Sequence, residues 1–161
     1  MKNKFEKKIL SPQKAAALSA KLNKAGKKVV FTNGCFDILH PGHVHYLESA
    51  RNKGDFLVVA LDTDEAVRKL KGADRPINPL ESRMQVMAAL ESVGAVTWFE
   101  NADPVPIIKK IRPRILVKGG DWKINQILGS TEVLSWGGKV FSLKYIEGKS
   151  TTNIIKKIKC S

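Results

Sequence analysis

Two histidines three residues apart, His40 and His43, stand in a run suited to holding phosphate oxygens: Thr32, Asn33, Gly34, Cys35, Phe36, Asp37, Ile38, Leu39, His40, Pro41, Gly42, His43. At that spacing the two imidazoles share one face of a first helical turn. Unpaired backbone N–H groups and the positive end of the helix dipole lie at the same place. Imidazoles and free N–H groups together make a site for phosphate. Gly42 removes a side chain where a nucleotide must lie against backbone, and Gly34 does the same in the loop. A metal site is the competing reading, but no third ligand lies nearby in the sequence. A structural role is the usual one for a single histidine. The pair, the strand-loop-helix junction and the two glycines favour phosphate over it. His45 points away from this face and is read as unspecialised. No Ser-His-Asp or Cys-His arrangement accompanies the pair, so Cys35 is not expected to act covalently.

Three further clusters carry charge or flexibility where ligands bind. Lys71-Gly72 and Arg75-Pro76 put cations on a Gly/Pro loop, where solvation alone is the bland reading. Arg83 lies at the edge of an apolar helical face, where a structural pairing competes evenly with a ligand contact. Lys118, Gly119, Gly120 and Asp121 close an apolar strand, and paired glycines expose backbone to a flat ligand. A plain turn is the alternative there. Glu147, Gly148, Lys149, Ser150, Thr151 and Thr152 precede the last helix. Ser150 or Thr151 could only cap it, or the hydroxyls, N–H groups and Lys149 could hold phosphates.

The elements that must position these residues alternate in type. Ser11-Pro12 opens a helix that runs through Leu18 and Leu22 and stops at Gly26. Short apolar strands are expected over Lys28 to Thr32, Phe56 to Leu61, Ala95 to Phe99, Ile115 to Lys118 and Val140 to Leu143. Helices are expected over Pro41 to Asn52, Thr63 to Leu70 (capped by Asp62 or Thr63), Leu80 to Ser92, Pro104 to Ile111 and from Thr151 onward. A broken helical region covers Ile124 to Trp136. Alternation of this kind predicts an α/β fold: a Rossmann-like parallel five-stranded sheet with helices on both faces. Ligands in such sheets bind beyond the carboxyl ends of the strands, at the switch point. Residues 1–27 read as a basic helical extension and residues 28–161 as the main domain.

Bulk properties bound the function. A chain of 161 residues has the size of one domain, and 43% apolar content is ordinary for a globular fold. Its longest apolar runs are too short to cross a bilayer, and no signal-peptide core follows the basic start. A cytoplasmic protein with two reduced cysteines, Cys35 and Cys160, is the expectation. The formal net charge of +13 invites a nucleic-acid reading. Lysines crowd the two ends, though, and basic residues are not interleaved with aromatics. A solvated basic face and attraction of small polyanions such as ATP rank above nucleic acid.

The run from Phe31 to His43 resembles the signature of the cytidylyltransferase-like nucleotidyltransferase superfamily. Leu70 to Gly72, Arg75 to Asn78, Leu116 to Asp121 and Gly148 to Thr152, taken in order with it, are most similar to the D-glycero-β-D-manno-heptose 1-phosphate adenylyltransferases. The resemblance spans Val29 to Ile158. It implies transfer of AMP from ATP to heptose 1-phosphate, giving ADP-heptose and pyrophosphate for bacterial lipopolysaccharide core. It implies catalytic roles for His40, His43 and Lys71, and sugar-phosphate contacts for Arg75 and Arg83. Nucleotide contacts follow for Asn33, Gly34, Cys35, Phe36, Gly42, Lys118, Gly119, Gly120, Asp121, Lys149, Ser150 and Thr151. Asp121 would hold the ribose. Mg2+ would accompany ATP, with Asp37 and Asp121 the available carboxylates and no metal ligand assigned. A homodimer is implied, and so is a separate sugar kinase upstream, because the chain leaves no room for a fused one. Glycerol-3-phosphate cytidylyltransferases carry an arginine five residues before the serine of the last motif, where this chain has Tyr145. That departure argues against their subfamily, which stays as the enzyme alternative. A basic nucleic-acid-binding module is the alternative of another class.

Overall fold

A computed structural model describes residues 3–144 and 150–160. Among them the chain runs α1 (Pro12–Lys24), β1 (Val29–Gly34), α2 (Pro41–Arg51), β2 (Phe56–Asp62), α3 (Asp64–Lys71) and α4 (Leu80–Ala89). It continues with β3 (Ala95–Phe99), α5 (Val105–Ile111), β4 (Ile115–Gly119), α6 (Ser130–Ser135), β5 (Lys139–Leu143) and α7 (Thr151–Lys159). The expected broken region resolves into a 3-10 turn, Ile124–Gln126, followed by α6.

All five strands pair in parallel, in the order β3-β2-β1-β4-β5. Successive strand residues face opposite sides, so each side has its own core. Val30, Leu57, Val59, Leu61, Val96 and Val117 pack on one side with Leu47 of α2 and Met87 of α4. Val29, Phe31, Val58, Ala60, Ala95 and Leu116 pack on the other with α1, α5 and α6. Leu47, Leu57 and Leu61 are fully buried, so truncating any one to Ala costs about 2–5 kcal/mol.

Local capping fixes where helices start. Ser11 accepts the Lys14 N–H ahead of Pro12, and Thr63 accepts the Ala66 N–H at 3.4 Å. Gly26, at φ +77°, ends α1 in the left-handed conformation open to glycine. The segment before β1 packs against the sheet. Leu10 donates its N–H to the Val96 carbonyl at 2.8 Å, Ala15 is fully buried, and Leu18 and Leu22 pack beside it.

Candidate active site

The chain builds outward from β1 in one direction through β2 and β3, then returns to its other side for β4 and β5. The switch point therefore lies between β1 and β4. These two strands are in register only at Val30 with Ile115 and Phe31 with Leu116. Beyond that, Tyr46 of α2 bridges them: its hydroxyl lies 2.6 Å from Thr32 Oγ1 and donates to the Val117 carbonyl at 3.3 Å. Lys118 Nζ reaches the Asn33 carbonyl at 3.4 Å. A cavity of about 700 Å3 opens over these strand ends.

The histidine pair forms part of its wall. His40 is the extended N-cap residue of α2 and Pro41 takes the first helical position. The two imidazoles stack with centroids 3.8 Å apart and planes 24° apart. Phe36, held at φ +46°, packs against His43 in an edge-type arrangement, with ring centroids 5.2 Å apart and planes at 63°. Burial, then the charge of His40, pushes His43 down to about 4 from 6.5. His43 is neutral at pH 7 and offers a hydrogen bond rather than a charge. Its buried Nδ1 meets no hydrogen-bond partner among the described residues. Gly42 is buried and lines the cavity between the two histidines in sequence.

Asp37 organises the far rim. Its Oδ2 accepts Arg75 Nε at 2.7 Å and the Ile77 N–H at 2.8 Å, and its Oδ1 accepts the Asn78 N–H at 2.8 Å. Burial works against the Asp37 charge, but the Asn78 and Ile77 N–H groups and Arg75 outweigh it and hold the carboxyl below its ordinary range. Lys71 and Arg75 line the cavity. Arg83 does not, which corrects its expected place beside the substrate. Its side chain is fully buried and donates to the carbonyls of Asn78, Cys35 and Asp62 and to Asp64 Oδ1 at 2.7 Å. A guanidinium spent on four acceptors clamps three loops together and is not available to a phosphate.

On the other side of the crevice, Lys118 and Gly119 line the cavity with Asn33, Gly34 and Cys35. Burial lowers the Lys118 pKa while Asp62 and Cys35 oppose that. Burial, then Asp62, pushes the Cys35 thiol up to about 11. Gly120 and Asp121 lie off the wall. Gly120, at φ +120°, donates its N–H to the Leu143 carbonyl at 2.8 Å, so it extends the β4–β5 pairing. Asp121 is exposed, and the wall position falls to the next residue, Trp122, whose Nε1 donates to the Gly119 carbonyl at 3.0 Å. Ser150 and Thr151 bring the start of α7 to the same cavity. Ser150 Oγ caps α7 by accepting the Asn153 N–H at 3.1 Å, and Thr151 Oγ1 donates to the Ile38 carbonyl at 3.0 Å. Lys149 and Tyr145 lie outside the described residues.

Sequence reasoning missed Tyr46, Asp62 and Trp122 on this wall. Tyr46 stands three residues after His43, a helical spacing that signals a shared face. No group of three or more His, Cys, Asp or Glu side chains among the described residues converges as a metal site. Asp37 already accepts three hydrogen bonds and Asp121 is off the wall, which leaves Asp62 as the carboxylate on the wall, among the described residues, without a strong donor. No helix among the described residues is long and apolar enough to cross a membrane.

The model of the family described as cytidylyltransferase-like matches residues 31–157, from the middle of β1 into α7. The chain belongs to that family, whose members are nucleotidyltransferases. It is 57% identical over 136 residues to the bifunctional protein HldE of Actinobacillus pleuropneumoniae serotype 5b, covering 84% of this chain and 29% of that protein. It is 52% identical over 134 residues to the HldE of Alcanivorax borkumensis, covering 83% of this chain and 28% of that protein. The chain thus spans under a third of the length of these relatives. Among solved structures, the lipopolysaccharide core biosynthesis protein from Thermoplasma volcanium GSS1 is similar, with a TM-score of 0.63 and 27% identity. That match covers 77% of this chain and all of the other. In this cytidylyltransferase-like chain, the family match contains the histidine pair, Lys71, Lys118 and Thr151.

Proposed function

We propose that the chain transfers AMP from ATP to D-glycero-β-D-manno-heptose 1-phosphate, giving ADP-heptose and pyrophosphate for lipopolysaccharide synthesis. The stacked His40–His43 pair at the start of α2, facing a cavity at the sheet's switch point, carries this reading. The HldE relatives and the lipopolysaccharide core biosynthesis structure support the choice of sugar.

An oxygen of the sugar phosphate attacks the α-phosphorus, an O–P bond forms, and the bond from the α-phosphorus to the pyrophosphate oxygen breaks. A phosphate monoester with a second pKa near ~6 is already largely dianionic at neutral pH, so no general base is required. Catalysis is then alignment and electrostatic stabilisation. His40 and His43 donate around the α- and β-phosphates, Lys71 offsets charge, and the start of α7 with Lys149 meets the outer phosphates. Asn33, Gly34, Cys35, Phe36, Gly42, Lys118 and Gly119 form the nucleotide side, and Arg75 the sugar-phosphate side. Mg2+ enters with ATP as part of the substrate. A sugar kinase activity supplies the sugar 1-phosphate, the reaction is cytoplasmic, and the enzyme is a homodimer, which light scattering tests.

Pyrophosphate release, measured for ATP and CTP against heptose 1-phosphate and glycerol 3-phosphate, tests the reaction. Release with ATP and heptose 1-phosphate is expected. Release confined to CTP with glycerol 3-phosphate overturns the reading.

A further inference from the structure

Asp62 has a place on the cavity wall and no task in the reaction as described above. It ends β2 and is only 4% exposed. Helix capping does not occupy it, because Thr63 caps α3. The Arg83 clamp takes its backbone carbonyl, not its carboxylate. The carboxylate receives the Cys35 thiol at 3.7 Å, a weak donor at a long distance. Asp37, the other carboxylate lining the cavity among the described residues, already accepts from Arg75, Ile77 and Asn78. Burial pushes the Asp62 pKa up, while Lys118, Cys35 and Arg83 act to keep the carboxylate charged.

A carboxylate in a cavity for two phosphate-bearing substrates repels both of them. An ionised carboxylate only accepts hydrogen bonds, so a ligand group that suits it must donate or carry positive charge. The phosphates are largely deprotonated at neutral pH, which leaves the hydroxyl groups of the two sugars and the amino group of the base. The sheet order selects between the two sugars present. Lys118 and Gly119 end β4 on one side of β1, whereas β2, which ends in Asp62, lies on the other. From Asp62 the chain runs straight through α3 to Lys71 and Arg75, on the acceptor side of the cavity.

We infer that Asp62 accepts a hydrogen bond from a hydroxyl of the acceptor's sugar and so selects a polyhydroxylated sugar phosphate over a phosphate lacking that hydroxyl. The inference rests on the reaction proposed above. It makes Asp62 a specificity-determining residue, with the Cys35 thiol and Lys118 around it as its setting.

The test is steady-state pyrophosphate release with ATP and heptose 1-phosphate, for the wild type and Asp62→Asn. The amide keeps the shape but presents a weaker acceptor. KM for the sugar phosphate is expected to rise roughly 10- to 100-fold, the scale of a hydrogen bond to a charged group, with KM for ATP unchanged. A series of monodeoxy sugar 1-phosphates supplies the second arm and needs only the wild type. One analogue should lose kcat/KM by a similar factor, and Asp62→Asn should use that analogue and its parent alike. A rise in KM for ATP instead puts Asp62 on the nucleotide and overturns the inference. Unchanged sugar kinetics in the variant overturns it too, as does a deoxy series that the wild type uses evenly. Turnover by the wild type in those cases leaves the proposed reaction standing. No release by the wild type with any sugar 1-phosphate overturns the reaction and this inference together.

Discussion

Replacing Arg83 with Met separates a structural clamp from a phosphate ligand. The guanidinium is fully buried and donates at 3.0, 2.7, 2.9 and 2.7 Å to Asn78 O, Cys35 O, Asp62 O and Asp64 Oδ1. Met fills a similar volume but donates nothing. Each acceptor left without a partner costs about 1–3 kcal/mol if water cannot reach it. Asp64 is 33% exposed, so water rescues that one in part. The three carbonyls sit on neighbouring loops that can relax together, so the costs do not simply add. Breaking a buried pair costs about 3–5 kcal/mol, and that range is the expectation here. For a domain of 161 residues, each kcal/mol moves Tm by roughly 2–4 °C, so Tm should fall by roughly 6–20 °C. Differential scanning calorimetry measures this, and isothermal titration with ATP, well below the new Tm, measures affinity. The clamp reading expects a large loss of Tm and ATP affinity within a few-fold of wild type. A variant that melts within about 2 °C of wild type yet binds ATP tenfold more weakly would refute the reasoning and return Arg83 to the phosphates.

The features most legible in the sequence are those set by near neighbours. His40, Gly42 and His43 lie within one helical turn, so spacing alone fixes their common face. The strands were legible from apolar runs, but their ends depend on partners. β1 continues to Gly34 because β2 offers Leu61 opposite it, and no residue within β1 reports that. Arg83 was ambiguous for the same reason: its acceptors come from the loop after β1, the end of β2, the start of α3 and the segment before α4. Asp62 and Thr63 are both good caps, and which one caps depends on where the backbone turns. In the loop after β4, a positive φ at Gly120 carries the chain away from the cavity, so Trp122 rather than Asp121 meets the wall. Asp37 looked available for a cation until the rim loop folded back over both of its oxygens.

His40→Ala and His43→Ala should each lower kcat by ~10²-fold or more with little change in ATP affinity, as for lost transition-state donors; near-normal turnover in folded variants refutes that. His43 also links stability to pH. Its folded pKa, about 4, lies below the ordinary 6.5, so between these values the unfolded chain binds a proton that the folded chain refuses. Stability should therefore fall as pH drops from 6.5 toward 4, and His43→Gln should flatten that fall in Tm measured across the range. Ser150→Ala should cost ~1 kcal/mol of stability as a lost cap. Thr151→Ala should lower turnover more than Tm, because it unties α7 from the Ile38 carbonyl in the histidine loop; thermal melts and kinetics on the same samples separate these outcomes. Gly34→Ala reaches the histidines indirectly. A Cβ built on Gly34 meets Phe36 Cε2 at 3.0 Å and Cδ2 at 3.4 Å, so the ring must move by a few tenths of an ångström. Phe36 cannot move freely: its backbone is already at φ +46°, and its ring packs against His43, which stacks on His40. The displacement therefore reaches the imidazoles that align the phosphates. Positioning errors of this kind lower kcat steeply, so about a tenfold loss is expected with Tm down only a few degrees. Full kcat in a folded Gly34→Ala enzyme would show that Phe36 does not hold His43 in place.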